Sequence, residues 1–247
     1  MKIKSCKQIA RKKLIQNPYL FLIAFIYIVI ETFAQYNKWN SPIVWAGWPD
    51  LFVLLSWSVF WGMITFPLFL GFLRILYLPH GKLKELFLPY KNPKDCLSKY
   101  IKIKLPADCL YSAILSIKLF SMIYTEYIFT WSLLSILITV GALLSNMWLI
   151  IISCYSISSE LKPNNNHTHT LFHTYWTYLG KTLLIGLTFW PWIIFATVII
   201  AAYFLLTQSY SIGSFWFINP PFICGMGLWV IPCFYLSCLK MINGKEI

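Results

Sequence analysis

Apolar residues run through this chain in long stretches, separated by short segments that hold most of the charge. About 18 or more apolar residues in a helix match the thickness of a bilayer core. Six such runs are read, at about 18–36, 51–78, 105–125, 128–157, 182–207 and 220–239. Each is expected to be helical, because hydrocarbon offers no hydrogen-bond partner to an open backbone. No strand pattern or repeat stands out. The expected fold class is therefore all-α: a polytopic transmembrane bundle of six spans, forming one domain over 18–247 behind a basic segment at 1–17.

The segments between the runs refine this picture. Residues 1–17 read MKIKSCKQIARKKLIQN, basic and partly amphipathic. A short helix on the inner membrane surface is expected there, followed by an uncleaved signal anchor. Trp39, Trp45 and Trp48 stand as interface anchors in an outer loop. Pro67 predicts a kink in the second run. The stretch up to Lys104 is too polar to span. It is expected to lie along the inner surface in pieces broken at Pro89 and Pro93. A tight outer turn at Glu126 joins the third and fourth runs. The stretch 208–219 reads as an uncharged outer loop.

Composition sets the solvent. The chain is 59% apolar and 11% charged, with a mean hydropathy of +0.67, where soluble domains carry roughly a quarter charged residues. Charge sets the orientation. Of the 20 Lys and Arg residues, all but Lys38 and Lys118 fall on one side of the six runs. The positive-inside rule makes that side cytoplasmic, with both termini inside. The expected location is a bacterial cytoplasmic membrane, with the anionic inner leaflet as a partner. The net charge of +12 flanks hydrophobic runs, which argues against nucleic acid as a partner. The seven Cys contain no CxxC and read as reduced, small apolar filler.

Ionisable groups inside a span are costly, so they point inward or pair. Four stand out. Counted from the inner ends of their runs, Glu31 and Lys118 both lie about 20 Å deep at 1.5 Å per residue. Arg74 and Asp108 both lie within a turn of the inner face. Two couples follow, Glu31 with Lys118 and Arg74 with Asp108. They read either as a polar or ion-coupled pathway or as structural pairing, with Lys118 snorkelling outward and Asp108 capping its helix.

Lys82, Lys84, Lys91, Lys94, Lys99, Lys102 and Lys104 form a basic inner loop. It is expected to dock a cytoplasmic partner or anionic lipid. His167, His169 and His173 include an i, i+4 spacing that zinc can use. The adjacent Asn164-Asn165-Asn166 run favours a solvated loop instead, so no metal is expected. Pro220-Pro221 would permit a broken helix, though helix packing by Gly225 and Gly227 is the preferred reading. No HExxH, GxSxG, P-loop or paired-glutamate protease motif occurs, so no enzyme and no cofactor are expected.

Several short motifs occur in a familiar order: Gly71-Phe72, Leu86-Phe87, Leu179-Gly180-Lys181, Leu187-Thr188-Phe189-Trp190, Gly213-Ser214-Phe215, Pro221-Phe222 and Phe234-Tyr235-Leu236. In this order the chain resembles an uncharacterised bacterial six-helix membrane family, domain of unknown function 975. Only Gly141 stands near that family's Pro-Gly before the fourth span. The resemblance implies a fold and a membrane location, and no activity. The functional expectation is a permease-like or accessory subunit of a transport, export or self-immunity system. A cytoplasmic ATPase or another membrane subunit would be its candidate partner. A non-transport scaffold or lipid-interacting protein is the alternative, and an enzyme acting on lipid substrates is the third reading.

Overall fold

The computed structural model describes residues 3–39, 48–78, 81–110, 128–161, 170–192, 194–195, 198 and 212–243. Among them the fold is all-α, with no strand. Helix α1 covers Ile3–Gln16 and α2 Tyr19–Trp39. Asn17 closes α1 by donating its backbone N–H to the Lys13 and Leu14 carbonyls, and Pro18 cannot continue the ladder. The two helices meet at 100°. The buried stripe of α1 is Cys6, Ala10 and Leu14, each a helical turn apart. It packs against the C-terminal helix of the chain, so protein covers the apolar face that the sequence assigned to lipid.

Helix α3, Trp48–Tyr77, is the axis of the bundle. Its second half is apolar on all sides apart from Thr65 and Arg74, and Phe66, Leu70, Phe72, Leu73, Ile75 and Leu76 are almost wholly buried. Such a helix belongs at the centre of a packed assembly. Pro67 lies inside it.

The segment after α3 departs from the expected surface loop. A 3-10 turn at Leu83–Phe87 leads through α4, Leu88–Lys91, to α5, Pro93–Lys99. A π-helical turn follows at Tyr100–Lys104, closed by the Leu105 N–H on the Tyr100 carbonyl, and regular helix continues to residue 110. The whole segment folds back along α3. At Gly71 a Cβ would sit 2.1 Å from the Leu86 carbonyl oxygen, so only glycine admits this backbone. Further along, the Tyr90 hydroxyl reaches the Ile64 carbonyl. Prolines 89 and 93 open the two short helices, the position a helix tolerates best.

Helix α6, Ile128–Leu161, packs on α3 and on the π turn. Trp148 donates its indole N–H to the Ile103 carbonyl at 3.1 Å, and Ser145 its hydroxyl to that of Ala107 at 3.2 Å. Helix α7, Leu171–Leu187, is capped by Thr170 and begins well before the fifth predicted span. It ends in a turn at Thr188–Phe189, inside that span. Helix α8, Ile212–Asn243, starts within the stretch expected to be an outer loop. It runs unbroken through Pro220 and Pro221, so the broken helix does not form. Among the described residues, one stretch is long and apolar enough to cross a bilayer by itself, Leu55–Tyr77. Ser5–Gln16 with Tyr19–Glu31 qualifies only as a bent pair.

Candidate functional site

A cavity of about 340 Å³ opens between α2, α3, the π turn, α6 and α8. Its polar lining is Glu31, Thr65, Lys104 and Asn146, and its aromatic lining is Tyr27, Phe66, Phe69 and Tyr235. Tyr27 and Glu31 are one helical turn apart on α2, so they share a face. Thr65 is buried, whereas Asn146 is exposed. Beside the cavity, Lys104 Nζ lies 3.2 Å from Asp108 Oδ1 across one turn. The Tyr100 hydroxyl lies 3.2 Å from Asp108 Oδ2 and 3.3 Å from the Val59 carbonyl. Gly62 of α3 makes room for this group, since a Cβ there would stand 2.7 Å from Asp108 Oδ2. A carboxylate and a compensated ammonium thus face a mixed polar and aromatic hollow inside an apolar bundle.

A second cluster ties the other end of the segment to α3 and α6. Arg74 donates to Glu85 Oε2 at 3.2 Å and to Glu160 Oε1 at 2.6 Å. Lys99 reaches Glu160 Oε2 at 2.7 Å and Asp95 Oδ2 at 2.8 Å. Burial alone would lower the Lys99 pKa. Its hydrogen bonds to Asp95 and Glu160 outweigh burial and hold it above its ordinary value. The small hollow among these groups is about 40 Å³, room for little more than a water. This cluster is a clamp.

The predicted couples come out differently. Arg74 pairs with Glu85 and Glu160, not with Asp108. The reason is depth. The sequence pattern predicts a helix starting at Leu105 before Asp108, whereas the helix starts at Pro93. That places Asp108 about 22 Å along it, at 1.5 Å per residue. It lies beside Gly62, twelve residues and about 18 Å before Arg74 on α3. Lys118 lies outside the described residues. Glu31 shares its cavity with Lys104 instead, a residue the sequence placed in the docking loop.

Of the seven docking lysines, Lys82, Lys84, Lys91, Lys94 and Lys102 are exposed, while Lys99 and Lys104 are held in ion pairs. His173 is exposed in the first turn of α7, and His167 and His169 lie outside the described residues. Among the described residues, no three of His, Cys, Asp and Glu gather as a metal site would require. Sequence reading missed Tyr27, Tyr235, Thr65 and Asn146. The i, i+4 spacing of Tyr27 and Glu31 was the one local signal for them.

A third arrangement also went unread. Lys13 places its ammonium on the last carbonyls of α3, 2.7 Å from that of Leu76, 3.2 Å from Tyr77 and 3.0 Å from Leu78. It thereby caps α3 and seats α1 across its end. Burial, with Lys240 nearby, lowers the Lys13 pKa to about 8.

No family model, no curated protein and no solved structure matches this chain.

Proposed function

We propose that this chain is a multi-pass protein of a bacterial cytoplasmic membrane, with six spans and both ends in the cytoplasm. In this reading it is a non-enzymatic, permease-like or accessory subunit of a transport, export or self-immunity system. The observation that carries the reading is the cavity of about 340 Å³ lined by Glu31, Thr65, Lys104 and Asn146. Its volume lies in the range of solute sites, and charged groups in a bundle core are retained where a solute or ion meets them.

The membrane setting rests on a separate feature. Helix α2 is apolar on both faces. Leu20, Ile23, Ala24 and Tyr27 are buried, while Leu22, Phe25, Val29 and Phe33 point outward, Phe33 at 61% exposure. An outward stripe of this kind needs lipid or protein to cover it. A resemblance to domain of unknown function 975 would imply the same setting, although no family model matches the chain.

The test is aqueous access to the cavity. Thr65→Cys, placed in a background with Cys109 and Cys224 both changed to Ser and assayed in native membranes, should react with methanethiosulfonate-ethylammonium. A Cys at the exposed Ile15 serves as the reactive reference. An inert Thr65→Cys beside a reactive reference would remove the solute-path reading.

A second reading, a lipid-interacting scaffold, draws on the segment 82–102. There the exposed lysines alternate with exposed Leu83, Phe87, Tyr90, Leu97 and Ile101. That pattern suits an anionic headgroup layer.

A further inference from the structure

The charges in the cavity lining are already taken. Lys104 is paired with Asp108 at 3.2 Å, and the Glu31 carboxylate is likewise engaged within the protein. An anion would have to compete with Asp108, and a cation with the existing interaction of Glu31. Either would also lose its own hydration on entry.

The uncharged polar groups stand differently. Among the described residues, the Tyr27, Thr65 and Tyr235 hydroxyls and the Asn146 carboxamide make no hydrogen bond. Nor are they enclosed. The unpartnered hydroxyls of Ser58, Ser153 and Thr182 are sealed inside protein, and these four groups are not among them. Tyr27 and Thr65 are each 7% exposed, and the cavity they line is where that remnant opens. The Tyr27 and Tyr235 phenol groups lie within electrostatic reach of each other and of Glu31, so their polar ends converge. Each of the four groups can both donate and accept. Buried polar groups are normally paired, so four unpaired ones around one hollow mark a partner supplied from outside.

The rest of the wall selects among such partners. Ile28, Leu149 and Ile231 give it apolar surface, which favours a carbon body over water alone. A wholly apolar body would leave all four polar groups without a partner.

We infer that this cavity binds a small uncharged solute with a carbon body and more than one hydroxyl group, held by the Tyr27, Thr65, Asn146 and Tyr235 side chains. The inference rests on the reading of the cavity as a solute site and names the solute's chemistry.

The test uses the full chain in nanodiscs and four probes built on one ring. Para-xylylene glycol is the uncharged diol. Para-xylylenediamine is its cationic counterpart, terephthalate its anionic one and para-diethylbenzene its apolar one. Binding is read by equilibrium dialysis, with uptake by empty nanodiscs subtracted. The glycol should bind at least about tenfold tighter than each of the others, the worth of one to two ordinary hydrogen bonds. Thr65→Val and Tyr27→Phe, which remove only a hydroxyl, should each weaken the glycol about fivefold. A charged or apolar probe that binds as tightly as the glycol would overturn the ligand class and leave the solute cavity standing. Glycol affinity unaltered in both variants would place the glycol outside this cavity and overturn the inference. Binding of none of the four would overturn the solute cavity as well. The comparison of probes on the unaltered chain decides the matter even if a variant does not fold.

Discussion

The Arg74 guanidinium lies 2.6 Å from a Glu160 carboxylate oxygen, across 86 positions of sequence. The other oxygen of Glu160 holds Lys99. One carboxylate thus joins α3, α5 and α6. Its side chain is 37% exposed, so water screens each pair. Replacing Glu160 by Gln should lower stability by about 1 kcal/mol, the upper end for exposed pairs, because two cations lose their partner together. Thermal unfolding in mild detergent would measure it. Arg74→Gln and Glu160→Gln combined should cost less than the sum of the single changes.

Lys99 gives that clamp a pH signature. Its folded-state pKa is raised above the 10.5 of a free lysine. The stabilisation is therefore fully present below about pH 10.5 and is lost as pH rises through the raised value. The unaltered chain should hold a constant margin over Lys99→Met from pH 7 to about 10 and surrender it above that range. A margin that shrinks already between pH 7 and 9 would contradict the assignment.

Lys13 runs the other way. Its folded-state pKa is lowered to about 8 from 10.5. Between those values the unfolded chain binds more protons, so this group makes stability rise with pH. The neutral amine still donates to the α3 carbonyls. Lys13→Met should abolish that rise. Near pH 10.5, where the folded-state amine is neutral, it should cost about 1 kcal/mol through loss of the cap. Unfolding midpoints from pH 7 to 10.5 would show both effects.

Two glycines of α3 should differ in tolerance. At Gly71 an added Cβ meets the Leu86 backbone, which cannot move without displacing the 3-10 turn. At Gly62 it meets the far ends of Asp108 and Tyr100, which can. Gly71→Ala should cost about 3 kcal/mol and Gly62→Ala about 1 kcal/mol, as overpacking does. Equal losses would show that the segment 83–110 does not lie against α3 as described.

The exposed lysines should govern affinity for anionic bilayers, at about 1 kcal/mol each. Changing Lys91, Lys94 and Lys102 to Gln should weaken association of the segment 82–102 with phosphatidylglycerol vesicles, and salt should mask the difference. Lys104→Gln should leave it unaltered, because that ammonium is held by Asp108.

The helical class was legible in the sequence because apolar runs of this length have few other solutions. So was the boundary between 1–17 and 18–36, which falls between α1 and α2. Depth was not legible. The position of Asp108 depended on where its helix begins, and Pro93 looked like a breaker when it is a first-turn residue. Lysine count in the loop 82–104 suggested one docking surface. The fold divides it, because Lys99 and Lys104 fall where α6 and Asp108 supply carboxylates from distant or helically adjacent positions. Glu160 gave no signal, since nothing local marks a carboxylate whose partners lie 61 and 86 residues away.

The π turn at Tyr100–Lys104 fits one residue more than a regular turn holds. It works as a spacer in the helical reading frame of the segment. Deleting a single residue there would let the turn close into regular helix with the frame kept, whereas a second inserted residue would exceed what a π turn absorbs and turn everything after it by about 100°. Asp108 would leave Gly62 and Ala107 would leave Ser145, although neither residue had been touched. The alignment of α3, α6 and the cavity therefore depends on residue number in this segment as much as on residue identity.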